Sequence, residues 1–261
     1  MIGALFGDIA GSKYEFDNIR TKDFELLDSD CYFTDDSVCT MAILDWLLHA
    51  NERNEITITQ YLHSWTRRYK GRGYGGRFFH WIRSDNPEPY YSCGNGSAMR
   101  VSAVAWAAKD LDELKFLSDM VTKITHNHPE GMKGALVTAT CIFMALHHAS
   151  KEEIKEYSIS QYPEIDNLDY EDLRKHFEFN ETCQKTVPQA IYCFLISKDF
   201  YDCAKTTISI GGDCDTTAAI SCAIAEAFYG VSVGDIDKVK SFVSKEMQDL
   251  IDESERVYPR R

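Results

Sequence analysis

The sequence has few cations relative to its acids, and this deficit argues against one broad class of partner. It carries 28 Lys and Arg residues against 41 Asp and Glu residues, so its formal net charge is -13. Extended binding to nucleic acid depends on neutralising phosphates with Lys and Arg, so the charge balance makes a nucleic-acid partner an unfavourable prediction. A phosphate-bearing ligand would need local help from metal ions, helix N-termini or a few placed cations.

Long apolar runs, linkers and paired cysteines are also missing. No stretch approaches the roughly 18 apolar residues that a membrane span needs, and the first residues reach Asp8 without the basic region of a secretory signal. None of the nine cysteines forms a Cys-x-x-Cys pair, which disfavours a structural zinc site and fits a reducing cytosol. No Pro/Gly/Ser-rich linker divides the chain. We therefore expect one cytoplasmic domain over 1–261, a monomer without a membrane partner.

Signals for β-strands are scarce, and the apolar segments are rich in Ala, Leu, Met and Cys, which predicts an all-α fold. Three segments that are apolar almost all round predict helices inside a bundle, and these are 37–49, 133–149 and 215–229. More amphipathic segments predict outer helices at 97–109, 112–124, 187–197 and 235–254. Gly230 is expected to end the helix before it. The polar region 150–182 predicts an irregular surface excursion.

Two short acidic motifs carry the strongest chemical signal. Thr34-Asp35-Asp36-Ser37 leads into the first of the apolar helices, and Asp213-Cys214-Asp215-Thr216 leads into the last. Either motif alone is best explained as a helix cap, because Thr, Ser and Asp bond free N–H groups and acids favour the positive end of the helix dipole. Two neighbouring carboxylates exceed what a cap needs, however, and repel each other unless they share a cation. Oxygen ligands of this kind suit Mg²⁺, Mn²⁺ or Ca²⁺, whereas zinc prefers His or Cys.

Four other segments each admit a structural and a functional interpretation. Small residues around Asp8 fit close helix packing, yet on one continuous helix Asp8 and Glu15 would share a face. The glycine-rich segment 90–97 taken alone is best explained as a turn and a cap. His126 and His128 have a spacing known from zinc sites, but no third His or Cys is near in sequence. The basic and aromatic segment 69–77 either lines a cleft and stacks on a base, or is a surface loop.

Together these motifs resemble the ADP-ribosylglycohydrolase family, which includes dinitrogenase reductase-activating glycohydrolase. The resemblance covers residues 1–230, and its specificity comes from five weak motifs in the expected order. They are Gly7-Asp8-x-x-Gly11-x-x-x-Glu15, Thr34-Asp35-Asp36-Ser37, Gly94-Asn95-Gly96-Ser97-Ala98-Met99-Arg100, Thr125-His126-x-His128-Pro129 and Gly211-Gly212-Asp213-x-Asp215-Thr216-x-Ala218-Ala219. The chain departs from the family pattern at Ser221, Cys222 and Glu226, so the charge of Glu226 must find solvent or a partner.

The resemblance implies a compact, orthogonal multi-helix bundle with a binuclear centre of two Mg²⁺ or Mn²⁺ ions in a cleft. The metal ligands that it implies are Thr34, Asp35, Asp36, Asp213, Asp215 and Thr216. Glu15 would lie beside the metals, and Glu15 and Asp36 are the candidates for activating water or assisting departure of the leaving group. The implied substrate-binding residues are Ser92, Cys93, Gly94, Asn95, Gly96, Ser97 and His126. Arg100 would bond a phosphate or tie down its loop, and His128 would be structural.

The activity that the resemblance implies is hydrolysis of the bond between C1 of the distal ribose of ADP-ribose and an acceptor, through an oxocarbenium-like transition state. Protein arginine is the first choice of acceptor, by analogy with relatives. Serine, a nucleic-acid base or a small molecule such as O-acetyl-ADP-ribose are alternatives. A catalytically silent ADP-ribose-binding or structural member of the family is a further alternative. The expected partner is an ADP-ribosylated protein or small molecule.

Overall fold

The structure is a computed structural model that describes residues 1–259, and its regular elements are helices. The α-helices of this part are α1 (Ile2–Gly11), α2 (Asp35–His49), α3 (Glu55–Arg68), α4 (Gly76–Trp81), α5 (Gly96–Met99), α6 (Ser102–Ala107), α7 (Leu111–Lys123), α8 (Pro129–Leu146), α9 (Lys151–Gln161), α10 (Tyr170–His176), α11 (Cys183–Ile196), α12 (Phe200–Ser209), α13 (Cys214–Tyr229), α14 (Val233–Phe242) and α15 (Lys245–Val257). Short 3-10 helices span Ser12–Tyr14 and Pro163–Asn167. The prediction of an all-α fold is confirmed. None of the described helices combines the length and apolarity needed to cross a membrane.

The three helices predicted to lie inside the bundle are present and largely buried. Segments 37–49, 133–149 and 215–229 correspond to α2, α8 and α13. In α13 every residue from Cys214 to Glu226 is buried, and the helix packs against α1, α8, α11 and α12. Gly230 follows with φ of +78°, which ends the helix where the sequence predicted.

Two of the predicted outer helices are interrupted in the structure. Segment 97–109 divides into α5 and α6 at Arg100 and Val101, and most of its residues are buried rather than amphipathic. Segment 235–254 divides into α14 and α15, because the hydroxyl of Ser244 accepts a bond from the backbone N–H of Met247 and starts a new helix. Segment 112–124 forms α7 as predicted.

Two other regions also differ from prediction. Segment 187–197 belongs to α11, which begins four residues earlier at Cys183, contains Pro188 and is mostly buried, so it is not an outer helix. Region 150–182 is largely helical, with α9, the second 3-10 helix and α10. Ser150 and Asp169 cap α9 and α10, so its polar residues serve helix starts rather than an irregular excursion.

Close packing of α1 against α13 sets the geometry around the acidic motifs. A Cβ atom on Gly7 would lie 2.1 Å from the carbonyl oxygen of Ala218, and one on Gly11 would lie 2.5 Å from Cα of Asp215. The two backbones therefore touch directly, which only glycine permits. The small residues around Asp8 do serve helix packing, and that packing brings α1 to the start of α13.

The departures from the family pattern on α13 are accommodated. The carboxylate of buried Glu226 accepts a bond from the backbone N–H of Gly3 at 2.7 Å and pairs with the α-amino group of Met1. The nine cysteines are free thiols, and all except half-buried Cys93 are buried. Cys222 thus packs as a small apolar residue in the core.

Candidate metal centre and cleft

Carboxylates from separate parts of the chain converge at one place. One group consists of Asp8 from α1, Asp36 from the first turn of α2 and Asp215 from the first turn of α13. A second group consists of Glu15, Asp213 and Asp215. Within each group one oxygen of every residue lies within 4.8 Å of the others. Because Asp215 belongs to both, the two groups form a single cluster of five carboxylates, which we call the acidic cluster.

Asp8 anchors the first acidic motif, and it was missing from the predicted ligands. Its fully buried carboxylate accepts bonds from the backbone N–H of Thr34 at 3.0 Å, the hydroxyl of Thr34 at 2.7 Å and the N–H of Ser37 at 3.0 Å, as well as from the hydroxyl of Ser37. Asp8 therefore fixes the start of α2. The signal in the sequence was a carboxylate inside an otherwise apolar helix, which is costly to bury without such partners.

The two aspartates of the first motif have different surroundings. Oδ2 of Asp36 accepts from the hydroxyl of Thr216 at 3.1 Å, whereas its buried Oδ1 has no hydrogen-bond partner among the described residues. Half-buried Asp35 lines the cleft but belongs to neither carboxylate group, and its N–H donates to the carbonyl oxygen of Arg72 at 2.8 Å. An unpartnered buried carboxylate oxygen at the centre of a cluster fits a cation ligand.

The second motif is held by a glycine turn. Gly211 and Gly212 have φ of +74° and +72°, and a Cβ on Gly212 would lie 2.5 Å from Cε1 of Phe177. The side-chain amide of Asn18 bonds both the N–H (2.8 Å) and the carbonyl oxygen (3.0 Å) of Gly212. Asn18 was also missing from the predicted site, and no sequence pattern marked it. This turn aims Asp213 toward the cluster.

Asn95 orients a carboxylate of the acidic cluster in addition to lining the cleft. Its amide nitrogen donates to Oδ2 of Asp213 at 2.7 Å and to the hydroxyl of Thr186 at 3.0 Å. The N–H of Thr216 donates to Oδ1 of Asp215 at 2.9 Å. Both aspartates of the second motif are therefore oriented by neighbouring groups.

Burial raises the pKa of each carboxyl group in the acidic cluster. Burial, followed by the charges of neighbouring aspartates, raises the pKa of Asp36 and of Asp215 well above the usual range. Burial also raises the pKa of Asp8 and Asp213. For Glu15, burial first and then the charges of Asp213, Asp8 and Glu181 raise the pKa to about 7. A divalent cation would lower these pKa values again, since carboxylate ligands must be ionised.

The donor chemistry of the acidic cluster fits a hard divalent cation. Every candidate ligand is an oxygen atom, from the five carboxylates or from the hydroxyls of Thr34 and Thr216 that contact Asp36. Oxygen-only sets select Mg²⁺, Mn²⁺ or Ca²⁺ over zinc. The cluster also lies at the base of an open cleft rather than in a closed core, since Glu15, Asp36, Asp213 and Asp215 line that cleft.

The cleft above the acidic cluster contains about 840 Å³ of space not filled by protein atoms. Of the predicted substrate-binding residues, Ser92, Gly94, Asn95, Gly96 and His126 line it. Cys93 and Ser97 lie outside the lining, and the hydroxyl of buried Ser97 donates to the carbonyl oxygen of Gly131 at 2.8 Å. The helix after this loop, α5, has only four residues, so its dipole adds little to anion binding.

A buried hydrogen-bonded chain supports the cleft wall at His126. Nη2 of Arg100 donates to the hydroxyl of Thr125 at 2.7 Å and to the carbonyl oxygen of Val121 at 2.8 Å, so Arg100 ties down this loop. The same hydroxyl lies 2.7 Å from Nδ1 of His126. Burial and the positive charge of Arg100 hold the pKa of His126 well below its ordinary value, so the ring is neutral. His128 is structural, as expected, because its Nδ1 caps α8 by accepting from the N–H of Glu130.

Segment 69–77 forms one wall of the cleft. Gly73, Gly75, Gly76 and Arg77 line it, together with the rings of Phe78 and Tyr90. The guanidinium of Arg77 lies 4.8 Å from the centroid of the Tyr90 ring. Tyr69 instead stacks on Trp65, and the aromatic rings that line the cleft, Phe78 and Tyr90, lie outside segment 69–77.

Fold and cleft together define an all-helical protein with a candidate acidic metal centre. Comparison with known proteins identifies the family: the model of the ADP-ribosylglycohydrolase family matches residues 1–250, and the chain belongs to this family. The family resemblance drawn from the five motifs is thereby confirmed.

Individual relatives agree with this assignment. ADP-ribosylhydrolase ARH3 of Mus musculus is 26% identical over 309 aligned positions, which cover 88% of this chain and 83% of the relative. ADP-ribosyl-[dinitrogen reductase] glycohydrolase of Rhodospirillum rubrum is 25% identical and covers 67% of this chain and 60% of its own length. A solved structure described as an ADP-ribosylglycohydrolase-related protein complex superposes with a TM-score of 0.70 at 20% identity, over 95% of this chain and 94% of that one. It shows the shared fold.

Proposed function

We propose that this protein is a metal-dependent hydrolase that cleaves the bond between the distal ribose of ADP-ribose and an acceptor. The observation that carries the proposal is the convergence of five carboxylates at the base of an open cleft. Membership of the ADP-ribosylglycohydrolase family and relatives named as ADP-ribosylhydrolases support the type of bond.

The acidic cluster is proposed to hold two Mg²⁺ or Mn²⁺ ions. Asp36, Asp213 and Asp215 are the central ligands, Thr34 and Thr216 add hydroxyl oxygens, and Asp35 contributes from the cleft wall. Two overlapping carboxylate groups that share Asp215 support two ions rather than one. When bound, such ions orient sugar hydroxyls and lower the pKa of water. Asp8 acts as a positioning residue, because its bonds fix the start of α2.

Proton transfer is assigned to Glu15, with Asp36 as the other candidate. Glu15 is half-buried at the edge of the acidic cluster and lines the cleft, so its carboxyl group is accessible both to solvent and to a ligand above the cluster. A carboxyl group in this position can take a proton from the attacking water or give one to the departing acceptor. Asp36 is more deeply buried and has fewer ways to exchange a proton with the cleft.

The pyrophosphate and ribose of ADP-ribose are proposed to lie along the wall formed by 94–96, His126 and Arg77. Backbone N–H groups of this glycine loop can approach the ligand closely, and Arg77 supplies a positive charge. The ring of His126 is neutral, so it is not repelled by the nearby charge of Arg100. A neutral imidazole ring can hydrogen-bond a sugar hydroxyl. The rings of Phe78 and Tyr90 offer apolar surface for the base.

The acceptor is proposed to be the guanidinium of protein arginine, because the mouth of the cleft near Glu15 favours a cation. Glu181 also lines the cleft. Phe16 directly follows Glu15 in the chain, and Phe179 lies two positions before Glu181. The Phe16 side chain is 82% exposed, and its ring stacks on Phe179 with centroids 5.9 Å apart. Carboxylates beside exposed aromatic faces attract a guanidinium, whereas they offer no such advantage to a serine hydroxyl.

The experiment measures release of ADP-ribose by chromatography from arginine-linked, serine-linked and DNA-linked substrates in the presence of Mg²⁺. Wild-type protein is compared with Glu15→Gln, Asp36→Asn and the chelated protein. Asp45→Asn is the matched control, because Asp45 lies on α2 outside the cluster and accepts from Nε1 of Trp65. We expect release from the arginine-linked substrate, loss of about 100-fold or more in the two site variants, and full activity in the control.

Each other outcome has a defined meaning. Release that survives chelation and both site substitutions would overturn the metal-dependent mechanism. Preferential release from serine-linked or DNA-linked substrate would retain the hydrolase and reject arginine as the acceptor. Tight binding of ADP-ribose with no release from any substrate would favour a binding protein over an enzyme.

A further inference from the structure

Positive charge is concentrated in segment 67–83, which borders the cleft. This segment contains six of the 28 Lys and Arg residues of the chain and none of its 41 Asp and Glu residues. Arg68 is paired, since its Nη2 lies 3.1 Å from Oε1 of Glu246. Within residues 1–259, Arg67, Lys70 and Arg83 form no ion pair with a carboxylate within 4.0 Å. Unpaired cations are therefore clustered on a protein whose net charge is -13.

These three cations border a groove with an apolar floor, which we call the basic groove. Its floor is made by Tyr74, Phe79 and Ile82, and no carboxylate among residues 1–259 lines it. Phe79 is 41% exposed, and the guanidinium of Arg83 lies 5.0 Å from the centroid of its ring. Cations at the edge of an exposed aromatic surface can recognise anionic and apolar groups together.

The basic groove shares a wall with the cleft. Gly71 and Tyr74 line the groove, whereas Gly73, Gly75 and Arg77 line the cleft, so the chain over 71–77 separates the two. This wall is anchored, because the carbonyl oxygen of Arg72 accepts from the N–H of Asp35 at 2.8 Å. A polypeptide that crosses this wall from the cleft would enter the basic groove.

Resting on the proposed function, we propose that the basic groove binds an acidic segment of the modified polypeptide, with carboxylates of the segment paired to Lys70 and Arg83 and an apolar side chain on Phe79. The protein then selects acceptors by residues that flank the modified side chain. The cleft recognises the ADP-ribosyl group, and the basic groove recognises the polypeptide that carries it.

The charge distribution favours a polypeptide over a nucleic acid. The basic groove is bounded by the acidic cleft on one side, and Arg67 also borders a hollow that contains Glu55, Asp85 and Glu88. A long polyphosphate chain would meet these acids, whereas a short acidic peptide places its charges only at the groove. The apolar floor also suits an aromatic or aliphatic side chain better than a phosphate backbone.

The first test measures direct binding and does not depend on catalysis. A labelled unmodified peptide of Asp, Glu and Phe is titrated with the full-length protein by fluorescence anisotropy, beside a Lys/Phe peptide and an oligoadenylate RNA. Lys70→Glu/Arg83→Glu is expected to weaken binding of the acidic peptide about tenfold at low salt, because two attractions become repulsions. Lys109→Glu/Lys115→Glu is the charge-matched control, since both lysines are exposed and neither lines the basic groove.

The second test separates this inference from the proposed function. The substrates are an acidic peptide that carries ADP-ribose on an arginine, and free ADP-ribosyl-arginine. For the peptide, Lys70→Glu/Arg83→Glu is expected to raise KM about tenfold and to leave kcat unchanged. The same variant is expected to hydrolyse free ADP-ribosyl-arginine as fast as the wild type does. Equal binding of the acidic peptide by the groove variant and the wild type would overturn the inference, as would displacement of the peptide by the RNA with higher affinity. Absence of hydrolysis by the wild type would reject the proposed function. The anisotropy experiment would then still show whether the basic groove binds an acidic peptide.

Discussion

Replacement of Asp8 tests whether the acidic cluster depends on a residue that we assign no direct part in the reaction. Asp8→Ala leaves the backbone N–H groups of Thr34 and Ser37 and both hydroxyls without their acceptor in a fully buried site. An orphaned buried donor costs ~1–3 kcal/mol, but the loss of repulsion from Asp36 and Asp215 offsets part of the total. We therefore expect a net loss of ~3 kcal/mol in the free energy of unfolding, which lowers Tm by roughly 6–12 °C in a chain of this size.

Asp8→Asn separates the effect on metal binding from the effect on folding. The amide keeps the shape and one acceptor oxygen, and it removes a negative charge from the cluster, so stability in the absence of metal should change by less than ~1.5 kcal/mol. Mn²⁺ affinity should nevertheless fall about 10–100-fold, as is usual when a group that orients metal ligands is altered. Melting curves with EDTA and Mn²⁺ titrations followed by electron paramagnetic resonance measure the two effects, with Asp45→Asn as control. Unchanged Mn²⁺ affinity in both Asp8 variants would refute the positioning role.

Two further predictions concern the glycine turn and the protons of the acidic cluster. Gly212→Ala should lower the free energy of urea unfolding by ~1–3 kcal/mol more than Gly230→Ala does. Both glycines have positive φ, at +72° and +78°, but only at Gly212 does the new Cβ meet a neighbour, Phe177 at 2.5 Å, and equal losses would reject the steric argument. The folded-state pKa of Glu15, about 7, lies above its ordinary value of 4.5, so the folded chain binds more protons in this window and its metal-free stability should fall as pH rises from about 4.5 to 7. Saturating Mg²⁺ should reverse this trend in Tm, and a metal-free Tm that rises across the window would contradict it.

The sequence predicted the parts of the fold that depend on local pattern. Apolar runs located α2, α8 and α13, because helices that are apolar all round must be buried. Segment 97–109 was mispredicted as one helix, since the buried side chain of Arg100 and its bonds to Val121 and Thr125 are long-range contacts that interrupt it. Helix α3 was not predicted at all, although its Asn54 capping box is visible in the sequence.

In the candidate site, too, the sequence predicted the residues with a local signal and missed those that depend on long-range contacts. The two acidic motifs were visible because each clusters carboxylates at a helix start. Asp8 was not predicted as a site residue, because its partners in the first motif lie 26 or more positions away in the sequence. It reaches the cluster only through the close glycine contacts between α1 and α13. Asn18 was not predicted for the same reason, because its partner, Gly212, lies 194 positions away in the sequence. Asp8 and Glu15 would share a face only on one continuous helix, but α1 ends at Gly11, and Glu15 reaches the cluster after a 3-10 turn.

Mn²⁺ binding to wild-type protein and to Asp215→Asn tests the central claim most directly, because Asp215 is shared by both carboxylate groups. The proposal predicts that the wild type binds two Mn²⁺ ions and releases ADP-ribose in their presence, and that Asp215→Asn loses both ions while its far-ultraviolet circular dichroism is unchanged. Folded Asp215→Asn that binds Mn²⁺ as the wild type does, or wild-type protein that releases ADP-ribose without binding any divalent ion, would contradict it.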